Sequence, residues 1–190
     1  MEFKEADLIM VIGRRSLFHK LIGWFSRTCG EPLTKAKHVA GFLSPGVIIE
    51  ALWTVKTSTA VDWLGEHKDF EVWRNHKLSL KHRERISNRV RGYRYHFYGF
   101  WRLFLHAGDL LVEKVIGKHF YFFRKMIKLN DYPICSWLWA MPYYEVAHIQ
   151  FGVPYNYASP DDMRDFISQN ENWELVYKVV HGIEVINRLR

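Results

Sequence analysis

Apolar residues along this chain fall into short runs with the length and alternation typical of β-strands. Residues 8–12 form the first run, Leu-Ile-Met-Val-Ile, which ends at Gly13. Residues 54–64 lack this character and are predicted to form a loop that leads into a short helical turn. The other strand-like runs cover residues 38–43, 47–52, 70–74 and 175–180.

Other parts of the chain carry apolar residues at helical spacing. This spacing predicts a helix over residues 16–27 and a second helix over most of residues 100–128. A third, buried helix is predicted to begin at Cys135 and to end near Gly152. Pro142 lies inside it and predicts a kink, because proline removes an internal N–H hydrogen bond.

The last predicted helix begins at Ser159-Pro160-Asp161-Asp162. Ser159 suits the N-cap, and Pro160 suits the first helical position. Strand runs on either side of helices predict an α+β fold. A chain of 190 residues can bury a substantial core in one domain, so we predict a single domain over residues 1–190.

The runs 38–43 and 47–52 are separated by Ser44-Pro45-Gly46, which predicts a β-hairpin with a three-residue loop. In that hairpin Leu43 lies opposite Val47. A loop of two or four residues would shift the register and turn alternate side chains to the other face of the sheet.

This register brings two polar residues together. Ala40 lies opposite Glu50, and His38 lies two residues earlier on the same face, so His38 and Glu50 are diagonal neighbours roughly 7–8 Å apart at the backbone. One interpretation is a half-solvated edge of the sheet. The other is a general base whose orientation and tautomer are held by a carboxylate.

Cys135 follows the turn-forming Pro133 at the start of the predicted buried helix. A sulfur there faces unpaired backbone N–H groups and the positive end of the helix dipole, and both favour the thiolate. The residue is therefore either a nucleophile or a small buried hydrophobe. The second cysteine is Cys29, and one reactive thiol with one bystander suits a reducing compartment better than a disulfide framework.

The chain is basic, with a formal net charge of +7 at pH 7 and a pI near 9.4. Basic residues concentrate in residues 74–94, where Glu84 is the only acid. This stretch is either the solvated face of a helix or a contact for phospholipid headgroups, cell-wall polymer or nucleic acid. Residues 93–101 interleave aromatic and basic side chains but contain no nucleic-acid signature, so no specific nucleic-acid recognition is expected.

Residues 1–7 lack the basic region and apolar core of a secretory signal. No run approaches the ~18 consecutive apolar residues of a membrane span. We therefore expect the chain to be in the cytoplasm at synthesis, with association with a virion or release without a signal as further options. We predict no cofactor and no metal, and the oligomeric state stays open.

Several segments, taken in order, resemble the circularly permuted papain-like enzymes of the NlpC/P60 superfamily, in particular the YiiX/YaeF-like group. The order of the segments is the specific part, because His38 precedes Cys135 as it does in the permuted branch. The segments are Ala6-Asp7-Leu8-Ile9, Lys37-His38-Val39-Ala40-Gly41-Phe42, Val47-Ile48-Ile49-Glu50-Ala51, Val72-Trp73-Arg74, Ile134-Cys135-Ser136-Trp137-Leu138-Trp139-Ala140 and Ala158-Ser159-Pro160-Asp161-Asp162.

The chain departs from the family pattern at three places. Ala6 stands where the family has glycine, Trp137 stands where it usually has an acidic or polar residue, and Tyr95-His96 stands where a Tyr-Asp pair is common. These departures do not change Cys135, His38 or Glu50, and they concern substrate specificity.

The resemblance implies a papain-like fold in which an antiparallel sheet packs against helices and the nucleophile lies at a helix N-terminus. It implies that Cys135 is the nucleophile, His38 the general base and Glu50 its orienting carboxylate. The implied activity is hydrolysis of an amide or other acyl bond in a peptide, a peptidoglycan stem peptide or an amino-acid conjugate, with acyl transfer as a variant. The alternative is a catalytically idle module of the same fold that binds an anionic partner, a membrane surface or a phage particle.

Overall fold

Residues 2–12, 36–96, 112 and 134–187 are described by the computed structural model of the chain. Apart from residue 112, the helices predicted over residues 16–27 and 100–128 lie outside this part of the chain, as does Cys29.

Seven strands form one sheet in which every neighbouring pair is antiparallel. The sheet order is β4-β3-β2-β1-β5-β6-β7, so the first strand lies at its centre. All five strand runs predicted from the sequence form strands. The strands are β1 Leu8–Val11, β2 His38–Ser44, β3 Val47–Ala51, β4 Val55–Thr59, β5 Phe70–Asn75, β6 Trp173–Val180 and β7 Ile183–Asn187.

Four helices accompany the sheet in the described residues, which confirms the α+β class. They are α1 Ala60–Glu66, α2 Leu80–Arg91, α3 Cys135–Ala147 and α4 Pro160–Gln169. The predicted start of α4 is confirmed: Ser159 Oγ accepts a bond from the Asp162 N–H at 3.1 Å, and the Asp162 carboxylate accepts one from the Ser159 N–H at 2.9 Å. None of the described helices is long and apolar enough to cross a membrane.

The sheet is covered on both faces, and β1 shows why its residues are all apolar. Leu8 and Met10 belong to a core cluster that includes the residues of α3, whereas Ile9 and Val11 belong to a second cluster that includes Trp63 of α1. Successive strand residues point to opposite faces. A strand buried on both faces therefore has a continuous apolar run in place of an alternating one.

Helix α3 is the central helix of the first cluster, and its residues 135–143 are all buried. It approaches β2 most closely at Gly41, where an added Cβ would lie 2.5 Å from the Trp139 ring and 2.9 Å from the Asp7 carbonyl oxygen. Glycine at position 41 is therefore what allows α3 to lie against the sheet at this distance.

The hairpin between β2 and β3 differs from its predicted form at the loop. Ser44, not Leu43, lies opposite Val47, so the loop contains two residues. A register shift between Phe42 and Ser44 inserts one extra residue into β2 and restores the predicted pairing of Ala40 with Glu50. A β-bulge thus compensates for the shorter loop, because it adds the one residue that the turn lacks.

Two predicted boundaries were wrong. Residues 55–59, predicted as loop, form the edge strand β4 along β3, although they lack an apolar alternation. Helix α3 ends at Ala147 and not near Gly152, because His148 adopts the left-handed conformation with φ 54° and donates its N–H to Tyr144 O. The helix continues through Pro142 for another full turn.

Candidate active site

Cys135 is the first residue of α3, as the sequence predicted. The N-cap residue is Ile134, whose apolar side chain cannot accept a bond from the N–H groups of the first turn. The positive end of this helix therefore has no side-chain cap, and this setting favours negative charge on the neighbouring sulfur.

His38 and Glu50 are joined by a hydrogen bond of 3.0 Å between Nε2 and Oε2. His38 is the first residue of β2, and Glu50 lies on β3 opposite Ala40, so the diagonal relationship predicted from the register is confirmed. Both side chains are buried, which excludes the half-solvated edge. Lys56 of β4, opposite Glu50 in the register, places its Nζ 3.6 Å from the second carboxylate oxygen.

The imidazole of His38 is held in its charged form. Complete burial alone would lower its pKa, but a side-chain hydrogen bond with Cys135, the charge of Cys135 and the contact with Glu50 outweigh burial and raise the pKa to about 10. The structure thus brings together the three residues that the sequence singled out. It joins His38 to both of the others.

Glu50 is held as a carboxylate by the same contacts. Burial raises its pKa, whereas the hydrogen bond and charge of His38 lower it, and the indole of Trp63 and the ammonium of Lys56 add to the lowering. The net effect is a pKa of about 2. An ionised Glu50 fixes the orientation of the imidazole and stabilises its positive charge.

Lys56 and Trp63 are neighbours of this site that were not predicted from the sequence. Lys56 would have been found if residues 55–59 had been assigned to a strand, since the β3–β4 register places Lys56 opposite Glu50. Trp63 comes from α1, which packs against the second core cluster. No local pattern in the sequence indicates that contact.

The candidate thiol is buried, with Cys135 only 2% exposed. A cleft of about 390 Å³ lies elsewhere, along residues 75–82, 147–150 and 166–173, and none of the three candidate residues lines it. It adjoins the C-terminal end of α3, whereas Cys135 is at the N-terminal end. Reaction of the sulfur with a substrate therefore requires that Sγ become accessible, and the rate of thiol alkylation measures this directly.

The fold is similar to that of a solved structure described as metalloprotein yiiX from Escherichia coli O157:H7, DUF1105. The two chains are 14% identical and align with a TM-score of 0.51 over 95% of this chain and 90% of that one. At this identity the likeness shows a shared fold. No family model matches the chain, and no curated protein is similar enough to match it.

The likeness agrees with the predicted resemblance to the YiiX/YaeF-like group at the level of fold, while the circular permutation and the catalytic roles stay predictions. The description as a metalloprotein applies to the yiiX protein. Within residues 2–12, 36–96 and 134–187 of the present chain, no group of three or more His, Cys, Asp and Glu side chains is arranged to hold a metal ion.

Proposed function

We propose that the chain is a cysteine hydrolase of the permuted papain-like type, with Cys135 as nucleophile, His38 as general base and Glu50 as orienting carboxylate. One observation carries the proposal: a buried imidazole joins a carboxylate to a cysteine at an uncapped helix N-terminus. The fold shared with the yiiX structure and the order of His38 before Cys135 in the chain support it.

We infer that the two ring nitrogens of His38 have different tasks. Glu50 occupies Nε2, which leaves Nδ1 to exchange a proton with Cys135. The raised pKa of His38 favours a proton on the imidazole near neutral pH, and the contact with Cys135 that raises it favours a negative charge on the sulfur in return. The resting site is then a thiolate beside an imidazolium, the reactive form of a cysteine nucleophile.

In the proposed reaction the thiolate attacks the acyl carbonyl, and His38 gives its proton to the leaving amine or alcohol. The acyl group remains on Cys135 as a thioester. Water then gives a proton to His38 and attacks the thioester, which releases the acid and regenerates the thiolate and imidazolium. The backbone N–H of Cys135 is a candidate donor to the oxyanion, and one such donor typically lowers the barrier by ~3 kcal/mol.

The substrates proposed are amides or other acyl compounds of peptides, peptidoglycan stem peptides or amino-acid conjugates. Acyl transfer to an acceptor other than water follows from the same thioester. Neither the fold nor the triad selects among these substrates.

The test is the rate of iodoacetamide modification of each cysteine between pH 5 and 9, followed by peptide mass spectrometry. Cys29 serves as the internal control. We expect Cys135 to react with a midpoint well below the ordinary thiol value of about 8.5. His38→Ala removes the imidazolium, so labelling at pH 7 should slow by roughly 30-fold, the ratio of a full thiolate to the few per cent expected at the ordinary pKa.

Two buried carboxylates provide a matched pair of controls. Glu50→Gln removes the carboxylate that favours the charged form of His38, so it should slow labelling of Cys135 severalfold. Glu71→Gln removes an equally buried carboxylate that binds Arg164 and Lys178 away from the site, and it should leave the labelling rate unchanged. Equal effects of the two variants would show that labelling follows stability and would contradict the proposed role of Glu50.

The second candidate function is an idle binding module, and the burial of Cys135 favours it. In that case Cys135 reacts slowly, with an ordinary midpoint, in the wild type and in His38→Ala alike. Hydrolysis of an activated acyl ester that persists undiminished in Cys135→Ser would also reject the hydrolase.

A further inference from the structure

The basic stretch at residues 74–94 separates into two kinds of cation. Arg83 is buried and Arg74 is partly buried, and both bind the buried Asp7. Arg89 is exposed but is paired with Glu145 of α3 at 2.9 Å. These cations hold the fold together, so they are not available to a partner.

The remaining five cations are exposed and have no carboxylate partner within the described part of the chain. Glu84 is the only acid on the same helix. Lys81, Arg85 and Arg89 follow one another at intervals of four residues, and like charges at this spacing destabilise a helix by about 0.2–0.5 kcal/mol per pair. The five are Lys77, Lys81, Arg85, Arg91 and Arg94.

Large apolar side chains are exposed at both ends of this cationic helix. Leu80, the first residue of α2, is 83% exposed, and Tyr95, just beyond its end, is 71% exposed with the Arg94 guanidinium 4.7 Å from its ring. The Tyr95 N–H binds Val55 O, which brings this segment beside Trp53, itself 69% exposed. Exposed apolar side chains therefore flank the cationic helix at both of its ends.

We propose that α2 and its flanking residues form a docking surface for an anionic phospholipid bilayer. A bilayer presents a plane of negative charge over an apolar layer, so it can bind the five cations and also accept Leu80, Tyr95 and Trp53. A nucleic acid would bind the cations and stack on the aromatic rings, but it offers nothing to Leu80. The apolar face of α2 is already used, since Ile86 and Val90 pack in the core. The helix therefore binds at the membrane surface through its cations and anchors, and not by inserting its own apolar face.

This surface reaches the candidate active site. Tyr93 packs edge-on against Trp137 of α3 at 5.3 Å between ring centroids. The 95–96 segment pairs with Val55, the residue before Lys56, which contacts Glu50. A molecule bound through this surface would hold the triad close to the lipid headgroups.

The test is co-sedimentation of the full chain with phosphatidylcholine vesicles that contain or lack phosphatidylglycerol, at low and high salt. We expect binding only to the anionic vesicles, with affinity that falls as salt rises. The double variant Lys81→Gln, Arg85→Gln should bind roughly 30-fold more weakly, because each cation near an anionic surface contributes about one kcal/mol and a tenfold change in affinity corresponds to about 1.4 kcal/mol. Glutamine keeps a similar helix propensity, so the fold should be unaffected.

The matched control is Lys4→Gln, Lys68→Gln, which removes the same charge from two exposed lysines outside residues 74–94 and should bind as the wild type does. The variant Leu80→Ser, Tyr95→Ser should weaken vesicle binding by roughly 10-fold through loss of buried apolar area. It should leave binding to a DNA duplex unchanged, because the bases of a duplex are already stacked on one another and are not free to stack on Tyr95.

Three results would overturn the proposal: binding to neutral vesicles as tight as to anionic ones, equal effects of the two charge variants, or tighter binding to DNA than to anionic vesicles. The last result would assign the surface to nucleic acid instead. Cys135→Ser should bind vesicles as the wild type does, so failure of the hydrolase proposal and failure of this one are separate outcomes.

Discussion

His38 is unusual because it is fully buried and its pKa is nevertheless raised, to about 10. Burial lowers this pKa, and the contacts with Cys135 and Glu50 outweigh burial. In the proposed thiolate–imidazolium pair the proton moves from sulfur to ring without uptake from solvent. Between about pH 6.5 and 8.5 the two residues therefore hold nearly the same number of protons in the folded and in the unfolded chain. Through this pair, the free energy of unfolding varies little with pH over that range.

The titration of Glu50, in contrast, changes the free energy of unfolding with pH and so provides a measurement of the site. Its folded pKa of about 2 lies below the unfolded value of 4.5, so its contribution is fully present above pH 4.5 and is lost as pH falls toward 2. We predict that the wild type loses free energy of unfolding over this range and that Glu50→Gln loses less of it. Urea denaturation at a series of pH values measures the difference.

The control is Glu66→Gln, which changes an exposed carboxylate at the end of α1 and should keep the wild-type pH dependence. Burial raises the pKa of Glu71, but the hydrogen bonds and charges of Arg164 and Lys178 outweigh burial and lower it, so Glu71 also loses a stabilising charge on acidification. Glu50→Gln should thus remove part of the acid loss and leave the part due to Glu71. A pH dependence unchanged in Glu50→Gln contradicts the ionic contact with His38.

Ala6 shows what one departure from the family pattern costs. It adopts φ 59°, a left-handed conformation that costs a non-glycine residue about 1–2 kcal/mol. Three contacts hold it there: its N–H donates to Phe42 O, its carbonyl accepts from Tyr143 Oη, and its methyl group is fully buried. Glycine would adopt this conformation without that cost, and the present chain tolerates alanine because its surroundings fix the conformation.

At the scale of elements, the contact between β2 and α3 decides where Cys135 lies relative to His38. We predict that Gly41→Ala destabilises the protein by about 1–3 kcal/mol, because the new Cβ overlaps the Trp139 ring and the Asp7 carbonyl. It should also slow alkylation of Cys135, since α3 must shift away from the strand. Chemical denaturation and the labelling rate test the two effects.

Gly65→Ala is the matched control for this substitution. Gly65 lies in α1 with nothing within 4 Å of its added Cβ, so alanine should stabilise the helix by about 0.5–1 kcal/mol. A Gly41→Ala protein as stable as the wild type would mean that α3 does not depend on this close approach.

Elements were predictable where local chemistry specifies them. Ser159-Pro160 fixes the start of α4, and the apolar runs fix the central strands. Strand β4 was not predictable from its own residues, because an edge strand is held by pairing with β3 and needs no apolar alternation. The bulge at Leu43 was missed for a related reason: loop length alone does not reveal an extra residue inside a strand.

At the scale of the whole molecule, the sequence predicted the three site residues by two separate local arguments. The hairpin register joined His38 to Glu50, and the helix start singled out Cys135. The contact between Cys135 and His38 joins residues separated by about half of the chain and depends on how α3 packs on the sheet. We expected this contact only from the family resemblance, because no local sequence pattern predicts it.

The ion pairs of the buried Asp7 with Arg74 and Arg83 are a second long-range feature that no local sequence pattern predicts. The Asp7 carboxylate binds Arg74 at 2.7 Å and Arg83 at 3.1 Å, and its side chain is fully buried. It thereby connects β5 and α2 to the segment that leads into β1. Arg83 also donates to the Glu5 carbonyl, so the cluster fixes the residues just before β1.

Asp7→Asn keeps the shape of the side chain and removes its charge, which leaves the buried guanidinium of Arg83 and the partly buried one of Arg74 without this counter-ion. We expect this variant to lose about 3–5 kcal/mol of unfolding free energy, the usual cost of breaking a buried ion pair. Glu145→Gln breaks the exposed pair with Arg89 and should cost less than about 1 kcal/mol. Urea denaturation of the two variants compares a buried and an exposed pair, both involving α2. Similar losses in the two proteins would mean that Asp7 is solvated and that the segment before β1 is held by other contacts.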